Sequence, residues 1–271
     1  MIGKGSEEMK VLEDLRDLYG RHDFDPGALY GDSMGRALTP HLSYGTPSMF
    51  GITATVLSSP KMIAYNLMQN AIDEAKGAAR IQIIADKYAD ADLNKKMHRH
   101  VGEELKHSKL FLELIDCTGF HSESTDEPAQ EVAQVLDFDD ELRAFICRVH
   151  SIEIRSWTVL RMYQEVLAKK QFPEISETMI PVLDDIMQDE INHVFYTGVQ
   201  IDEWLRGDPS LQATLDACFA HTNRETWQDM ASMTTWLANN FASALEDGDA
   251  EIELPASRFL VGEMGPPTTL T

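Results

Sequence analysis

Two Glu-x-x-His units contain the residues of this chain with the clearest capacity for chemistry. They are Glu104-Leu-Lys-His107 and Glu190-Ile-Asn-His193. A separation of three residues is close to one helical turn, so in a helix each unit points its carboxylate and its imidazole to the same side. Carboxylate and imidazole groups together suit iron, manganese or zinc. The two units therefore predict metal binding.

Two lone acids, Glu74 and Glu153, each lie on the predicted helix that precedes one of these units. The order Glu, Glu-x-x-His, Glu, Glu-x-x-His on four consecutive helices is typical of a carboxylate-bridged pair of metal ions inside a four-helix bundle. Asp73 competes with Glu74 for the first position, but Glu74 shares its helical stripe with small and apolar residues, which favours it. The predicted ligands are the lone carboxylates Glu74 and Glu153, the bridging carboxylates Glu104 and Glu190, and one imidazole per metal, His107 and His193.

An acid stands directly before the glutamate of each unit, as Glu103 and as Asp189. Metal-bound histidine usually donates its second N–H group to a carboxylate, so we predict that these two acids reach across to the opposite helix pair as outer partners. His100 and His150 lie one turn before Glu104 and Glu153 respectively, facing roughly the same way. Each is predicted either as an additional metal ligand or as an outer hydrogen-bonding group.

Small and aromatic side chains near the predicted ligands are candidates for a substrate pocket. Ala71 and Ala78 flank Glu74 on its helix, where they either leave room for a substrate or allow close helix packing. Trp157 follows Glu153 by one turn, and Phe195 and Tyr196 follow the second unit. These aromatic residues are predicted to line the pocket or shield a radical, with core packing as the alternative.

Helical periodicity predicts an all-α chain in which four long helices position these residues. They span about 60–88, 92–115 and 139–170, and a fourth runs to about 205 with Thr178 as its cap and Pro181 in its first turn. Two further helices, about 210–221 and 223–246, follow. Residues 1–58 are predicted as a lead-in or cover segment, helical at 9–19 and then loop-rich with room for one short helix. Residues 59–247 are predicted as the metal-binding domain and 248–271 as an irregular or disordered tail.

Composition narrows the classes of partner. The formal net charge of −22 argues against nucleic acid and against anionic membrane surfaces, which attract basic patches. Three cysteines without close spacing indicate neither a disulfide framework nor a Cys-x-x-Cys metal site. No apolar run approaches the roughly 20 residues that span a bilayer, and the N-terminus lacks the apolar segment of a signal peptide. We expect a cytoplasmic protein.

The motif Glu…Glu-x-x-His…Glu…Glu-x-x-His, over about residues 60–206, resembles that of the ferritin-like di-iron carboxylate superfamily. The resemblance implies a ferritin-like four-helix bundle, here with an N-terminal segment and C-terminal helices added. It also implies two bound iron ions, with manganese as an alternative, and activation of O2 or peroxide. Rubrerythrins usually carry a Cys-x-x-Cys iron module, which this chain lacks. The arylamine N-oxygenases have an additional histidine one turn before the second unit, where this chain has Ile186.

The leading hypothesis is a stand-alone, O2-dependent oxidoreductase of monooxygenase type with a biosynthetic role. It would hydroxylate, N-oxygenate, desaturate or cleave a C–C bond of a small organic substrate. Electrons would come from an external donor, a chemical reductant or the substrate. The sequence is compatible with a homodimer and does not decide the oligomeric state. One alternative is reduction of peroxide or O2 without an organic substrate, as in rubrerythrin or manganese catalase. Another is an iron-binding bundle without catalysis.

Overall fold

The computed structural model describes residues 10–38, 42–88, 90–120, 141–169 and 171–245. Every regular element in these ranges is helical, which confirms the all-α prediction for the described chain. The α-helices are α1 (Val11–Arg21), α2 (Ala28–Ala37), α3 (Pro47–Val56), α4 (Pro60–Tyr88), α5 (Ala91–Ile115), α6 (Leu142–Leu167), α7 (Pro173–Gly207) and α8 (Leu211–Leu245). Short 3-10 turns cover Ser43–Gly45 and Asp116–Thr118.

Local chemistry determines where the helices that carry the predicted ligands begin. Pro60 opens α4, as predicted, at a position where the missing N–H group of proline costs no helical hydrogen bond. Asp90 caps α5, because its Oδ1 accepts a hydrogen bond from the backbone N–H of Leu93 at 3.0 Å. Glu141 caps α6 in the same way and accepts from the backbone N–H of Ala144 at 3.2 Å. Each cap satisfies an N–H group that has no partner within the helix.

The fourth long helix begins earlier than the sequence predicts. In the structure α7 begins at Pro173, and both Thr178 and Pro181 lie inside it. The Thr178 hydroxyl donates to the backbone oxygen of Glu174 at 3.0 Å, as a hydroxyl within a helix does, and does not cap it. A proline inside a helix costs about 3 kcal/mol. The helix continues because its apolar face is buried in the core, through Met179, Leu183 and Ile186.

Two further predictions of secondary structure are wrong. The helices predicted at 210–221 and 223–246 form one helix, α8, because Thr222 at the expected break is buried against α6. There its hydroxyl hydrogen-bonds to Arg148 and to Ser151, at 2.7 Å in each case. The segment predicted as loop-rich, with room for one short helix, contains two helices, α2 and α3. Thr46 caps α3, because its hydroxyl oxygen accepts a hydrogen bond from the backbone N–H of Met49 at 3.2 Å. Threonine followed by proline is a helix-start signal that the loop prediction did not take into account.

The helices pack so that α4–α7 enclose a common interior. Helix α4 packs along α5 and α6 packs along α7, and the two pairs meet through α5–α7 and α4–α6 contacts. Helices α1 and α2 pack against α7, α3 packs against α6, and α8 covers α6. Leu15, Leu18 and Tyr30 of the lead-in belong to the same buried cluster as the interior residues of α4–α7. Full burial of such a side chain stabilises the fold by roughly 1.5–3 kcal/mol.

The lead-in is docked onto α7 by polar contacts as well. The backbone N–H of Gly27, at the start of α2, donates to Asp202 Oδ1 at 2.7 Å. Arg206 holds the second oxygen of that carboxylate, with Nε 2.9 Å from Oδ2. The predicted tail, 248–271, and most of the predicted connection between α5 and α6 lie outside the described residues. No helix among the described residues combines the length and the apolar character that crossing a bilayer requires.

Candidate metal centre

The six predicted ligands converge from α4, α5, α6 and α7 on one buried region. Two groups of side chains there have ligand atoms within 4.8 Å of one another. One group, here called the carboxylate-rich position, consists of Glu74, Glu104, His107 and Glu190. The other, here called the imidazole-rich position, consists of His100, Glu104, Glu153 and His193. Glu104 belongs to both groups, which is the arrangement expected of a carboxylate between two cations.

The imidazole of each Glu-x-x-His unit is held by an acid from the opposite unit. His193 Nε2–H donates to Glu103 Oε2 at 2.9 Å, from α7 to α5. His107 Nε2–H donates to Asp189 Oδ2 at 3.2 Å, from α5 to α7. The two acids predicted as outer partners therefore contact the predicted histidines across the helix pair. A carboxylate only accepts hydrogen bonds, so both Nε2 atoms carry the proton and both Nδ1 atoms are left to face inward.

The inward atoms are buried and lack protein partners. His107 Nδ1, His193 Nδ1 and Glu190 Oε2 have no hydrogen-bond partner within the described chain. The nearest carboxylate oxygen to His107 Nδ1 is Glu190 Oε1 at 3.4 Å, and the nearest to His193 Nδ1 is Glu104 Oε1 at 3.3 Å. Buried polar atoms are almost always paired, so these atoms are available to a bound ligand. Nitrogen lone pairs among carboxylate oxygens fit a divalent cation at each position.

Each outer acid is itself paired with a cation on the protein surface. Lys106 Nζ lies 3.0 Å from Asp189 Oδ2, and Arg99 Nε lies 3.6 Å from Glu103 Oε1. Partial burial raises the pKa of both acids, but hydrogen bonds from the histidines and the charges of these cations lower it overall. Both acids are therefore ionised near neutral pH and hold the imidazoles in one tautomer. The i,i+4 spacing of Arg99 and Glu103 is a signal in the sequence that indicates this pair on one helix face.

Burial controls the protonation of the inner carboxyl groups. Burial, followed by the charge of neighbouring carboxylates, raises the pKa of Glu74, Glu104 and Glu190 well above the usual range. Burial also raises the pKa of Glu153, but the charge of His100 and the hydrogen bond from it hold that pKa well below the usual range. Four carboxylates at this spacing cannot all ionise unless positive charge lies among them. Protons on Glu74, Glu104 and Glu190, or cations in their place, therefore balance the negative charge of this donor set.

His100 lies inside the centre, whereas His150 lies beside it. His100 Nε2 is 2.9 Å from Glu104 Oε1, and its Nδ1 is 2.9 Å from the hydroxyl of Tyr196. His150 has both nitrogens engaged by hydroxyls, with Nε2 2.7 Å from Tyr30 Oη and Nδ1 2.8 Å from Thr197 Oγ1. Burial lowers the pKa of His150 to about 3, so its ring is neutral. Tyr30, the partner of His150 on α2, is 120 residues away in the chain, so no local sequence pattern predicts this contact.

Comparison with known proteins gives no family. No protein-family model, curated protein or solved structure matches the chain.

The remaining predicted site residues divide between the centre and the core. Tyr196 contacts the centre through His100, and Ala71 and Ala78 are buried on α4. Trp157 is buried, with Arg161 over its ring at 5.4 Å. Phe195 packs against the rings of the lead-in and lies 4.6 Å from His22 by ring centroid.

Asp73, the competitor for the first ligand position, belongs to neither group of ligands. Its Oδ1 accepts a hydrogen bond from Gln69 at 3.1 Å. Burial raises the pKa of Asp73 to about 7. Glu74, in contrast, belongs to the carboxylate-rich position. The structure therefore brings the preferred residue of the two to the predicted centre.

Proposed function

We propose that this protein is a ferritin-like four-helix bundle that holds two iron ions and uses O2 to oxidise a small organic substrate. The proposal includes the six predicted ligands, with Glu104, the member of both ligand groups, as the bridging carboxylate. Glu190, which the sequence also predicted as a bridge, belongs to the carboxylate-rich position alone. Manganese is the alternative metal. The lead-in and α8 would add to the bundle the surfaces that a substrate requires.

One observation supports the proposal above the others. Two imidazole nitrogens, His107 Nδ1 and His193 Nδ1, have no hydrogen-bond partner among the described residues and face four carboxyl groups in a region formed by α4–α7. A purely structural role would leave these buried lone pairs without partners, which is rare in proteins. Two divalent cations would neutralise the four carboxylates and occupy the free lone pairs.

The protein's own residues would orient the metals and keep water away from them. Glu103 and Asp189 fix the ring orientation of His193 and His107, so that the same nitrogen of each ring faces the metal. Glu190 is 1 % exposed and both imidazoles are fully buried, so these three ligands are shielded from bulk water. Bound iron would supply the redox chemistry that couples O2 to the oxidation of a substrate bond. The chain has three cysteines and no Cys-x-x-Cys pair, so we propose that electrons come from an external donor or from the substrate.

The test is anaerobic loading of the full chain with Fe(II), followed by metal counting and by absorbance after addition of O2. We expect about two irons per chain and a change in visible absorption on exposure to O2. His193→Ala should lose iron, whereas His98→Ala should load normally, because His98 pairs with Gln82 and Asp86 away from the centre. Absence of iron uptake, or uptake without a response to O2, would contradict the proposal.

Substrate dependence separates the proposed oxygenase from its alternatives. An oxygenase should consume O2 in proportion to an added organic substrate once that substrate is found by screening. A detoxifying protein of rubrerythrin or manganese-catalase type should remove O2 or peroxide with only a reductant, or with peroxide alone. An iron-storage protein should assemble into a closed shell, which a native-mass measurement detects.

A further inference from the structure

We propose that His100 is a third imidazole ligand and that the two metal positions are therefore chemically different. The imidazole-rich position would have two nitrogen ligands and two carboxylates, and the carboxylate-rich position one nitrogen and three carboxylates. The inference rests on the proposed metal pair. It adds a ligand to the six predicted from the two Glu-x-x-His units and their lone acids, and it assigns a different metal preference to each position.

The position of His100 is the first argument. Its side chain is fully buried, and Nε2 lies 2.9 Å from Glu104 Oε1 and 3.5 Å from Glu153 Oε1. Its ring stacks on that of His193, with centroids 3.6 Å apart and an angle of 22° between the planes. Nε2 of His100 and Nδ1 of His193 therefore face the same pair of carboxylates, since His193 Nδ1 lies 3.3 Å from Glu104 Oε1.

The far side of the ring supplies the second argument. His100 Nδ1 lies 2.9 Å from the hydroxyl oxygen of Tyr196, which accepts a hydrogen bond from Nδ1–H when Nε2 binds a metal. The two predicted ligands have the same arrangement, with Glu103 on His193 and Asp189 on His107. All three imidazoles thus have one nitrogen held by an outer oxygen and the other among the carboxylates. A histidine that ligates a metal is oriented in this way.

His150 provides the contrast that makes the arrangement informative. It is equally buried and also precedes a ligand glutamate by one turn, yet both its nitrogens hydrogen-bond to hydroxyls. Neither nitrogen of His150 contacts a predicted ligand carboxylate, whereas His100 Nε2 contacts Glu104. The second unit has no counterpart of His100 either, because the corresponding residue, four before Glu190, is the buried Ile186. The two Glu-x-x-His units are alike in the outer acids that hold their histidines, Glu103 and Asp189. They differ four residues before the glutamate, where one has His100 and the other has Ile186.

The difference in ligands predicts a difference in metal preference. Imidazole suits zinc, cobalt and copper, whereas carboxylate-rich sites suit manganese and magnesium. Zinc or cobalt should therefore fill the imidazole-rich position first. Manganese should be retained at the carboxylate-rich position when both metals are supplied.

The first experiment counts the ligating imidazoles in the wild-type chain. Each imidazole bound to Co(II) retains one N–H proton, which a paramagnetic proton NMR spectrum shows as a strongly shifted signal that disappears in D2O. In the chain loaded at both positions with two equivalents of Co(II), we expect three such signals, from His100 Nδ1–H, His107 Nε2–H and His193 Nε2–H. Two signals would overturn the inference. This measurement needs no variant and does not depend on whether a substituted chain folds.

The second experiment measures the two positions separately by calorimetric titration with Zn(II) and by electron paramagnetic resonance of Mn(II). One equivalent of Zn(II) followed by one of Mn(II) should give a mixed pair in the wild type. His100→Ala should weaken the tighter Zn(II) site by at least about tenfold. Glu74→Ala should abolish Mn(II) binding at the carboxylate-rich position and leave the affinity of the tighter Zn(II) site nearly unchanged. Tyr196→Phe keeps the ring and removes only the oxygen. Its Zn(II) affinity should lie between those of the wild type and His100→Ala.

The outcomes separate this inference from the proposed function. If the wild type binds neither Zn(II), Mn(II) nor Fe(II), the metal pair itself is wrong. If it binds two cations and His100→Ala retains the affinity of the wild type, the pair stands and His100 is not a ligand. His98→Ala is the control for loss of an imidazole, and circular dichroism of each cation-free variant verifies that it is folded.

Discussion

Glu103 accepts a hydrogen bond from His193 across the α5–α7 contact, with 2.9 Å between Oε2 and Nε2. Asp189 and His107 make the reciprocal bond in the opposite direction at 3.2 Å. Each helix thus supplies a predicted ligand and the acid that orients the predicted ligand of the other. Because neither acid belongs to the two ligand groups, their effect on metal affinity can be tested without removing a ligand.

We predict that Glu103→Ala weakens metal binding about 10- to 100-fold while the chain stays folded, since the ring of His193 loses its orienting acceptor. Fe(II) or Zn(II) titration of the purified chain measures the effect. Glu113→Ala is the matched control, because Glu113 lies on the same helix and pairs at the surface with Lys109. Equal metal affinities for the two variants would contradict an orienting role of Glu103.

Metal affinity should increase with pH. Burial, followed by the charge of neighbouring carboxylates, raises the pKa of Glu74, Glu104 and Glu190 well above the usual range. Burial lowers the pKa of His100, but Tyr196 and Glu153 raise it overall to about 10. Near neutral pH these groups hold protons that a cation must displace, and displacement becomes easier as the proton concentration falls.

Calorimetry in buffers of different ionisation enthalpy should detect proton release on metal binding between about pH 6 and pH 8. Glu153 should contribute no protons in this range, because the charge of His100 outweighs its burial and holds its pKa well below the usual range. The logarithm of the association constant should have a positive slope against pH. An affinity that is independent of pH, with no protons released, would contradict this prediction.

Tyr30→Phe should destabilise the fold by about 1–3 kcal/mol, because His150 Nε2 would be left buried without a donor. Urea unfolding of the cation-free chain measures the change. Tyr88→Phe removes a hydroxyl from a half-buried ring at the end of α4 and should change the free energy of unfolding by less than about 0.5 kcal/mol. Similar losses in the two variants would mean that the contact with His150 contributes nothing specific.

Gly198→Ala should be destabilising by about 1–3 kcal/mol, because the added Cβ would overlap the hydroxyl of Tyr19 where α1 crosses α7. Gly102→Ala is the matched control on α5, where a Cβ would meet no atom within 4 Å. That change should stabilise the helix by about 0.5–1 kcal/mol. Tyr19→Phe should recover part of the loss in a double-mutant cycle, since it removes the oxygen that Cβ would meet.

The sequence was sufficient to predict the parts of the centre that follow helical geometry. Spacing of one turn places Glu104 with His107 and Glu190 with His193, and the acid before each glutamate points toward the neighbouring helix. The start of α4 at Pro60 follows from the chemistry of proline at a helix end. These predictions depend only on residues near each other in the chain.

The features that the sequence did not reveal depend on tertiary contacts. Whether His100 or His150 enters the centre is decided by Tyr196 and Tyr30, which come from other helices. The continuation of α7 through Pro181 follows from burial of its apolar face, which outweighs the local cost of the proline. No periodicity within one segment contains that information.

The contact between Tyr30 and His150 belongs to a longer directional chain. Thr197 donates its hydroxyl proton to the backbone oxygen of His193 at 2.6 Å, so it must accept from His150 Nδ1–H. His150 Nε2 then accepts from Tyr30, whose oxygen accepts from Tyr19 at 2.5 Å. Four side chains thus connect the first two helices to the backbone of the second Glu-x-x-His unit. Amide hydrogen exchange should show α1, α2 and the middle of α7 opening together as one cooperative unit, slower to exchange than the exposed ends of the same helices.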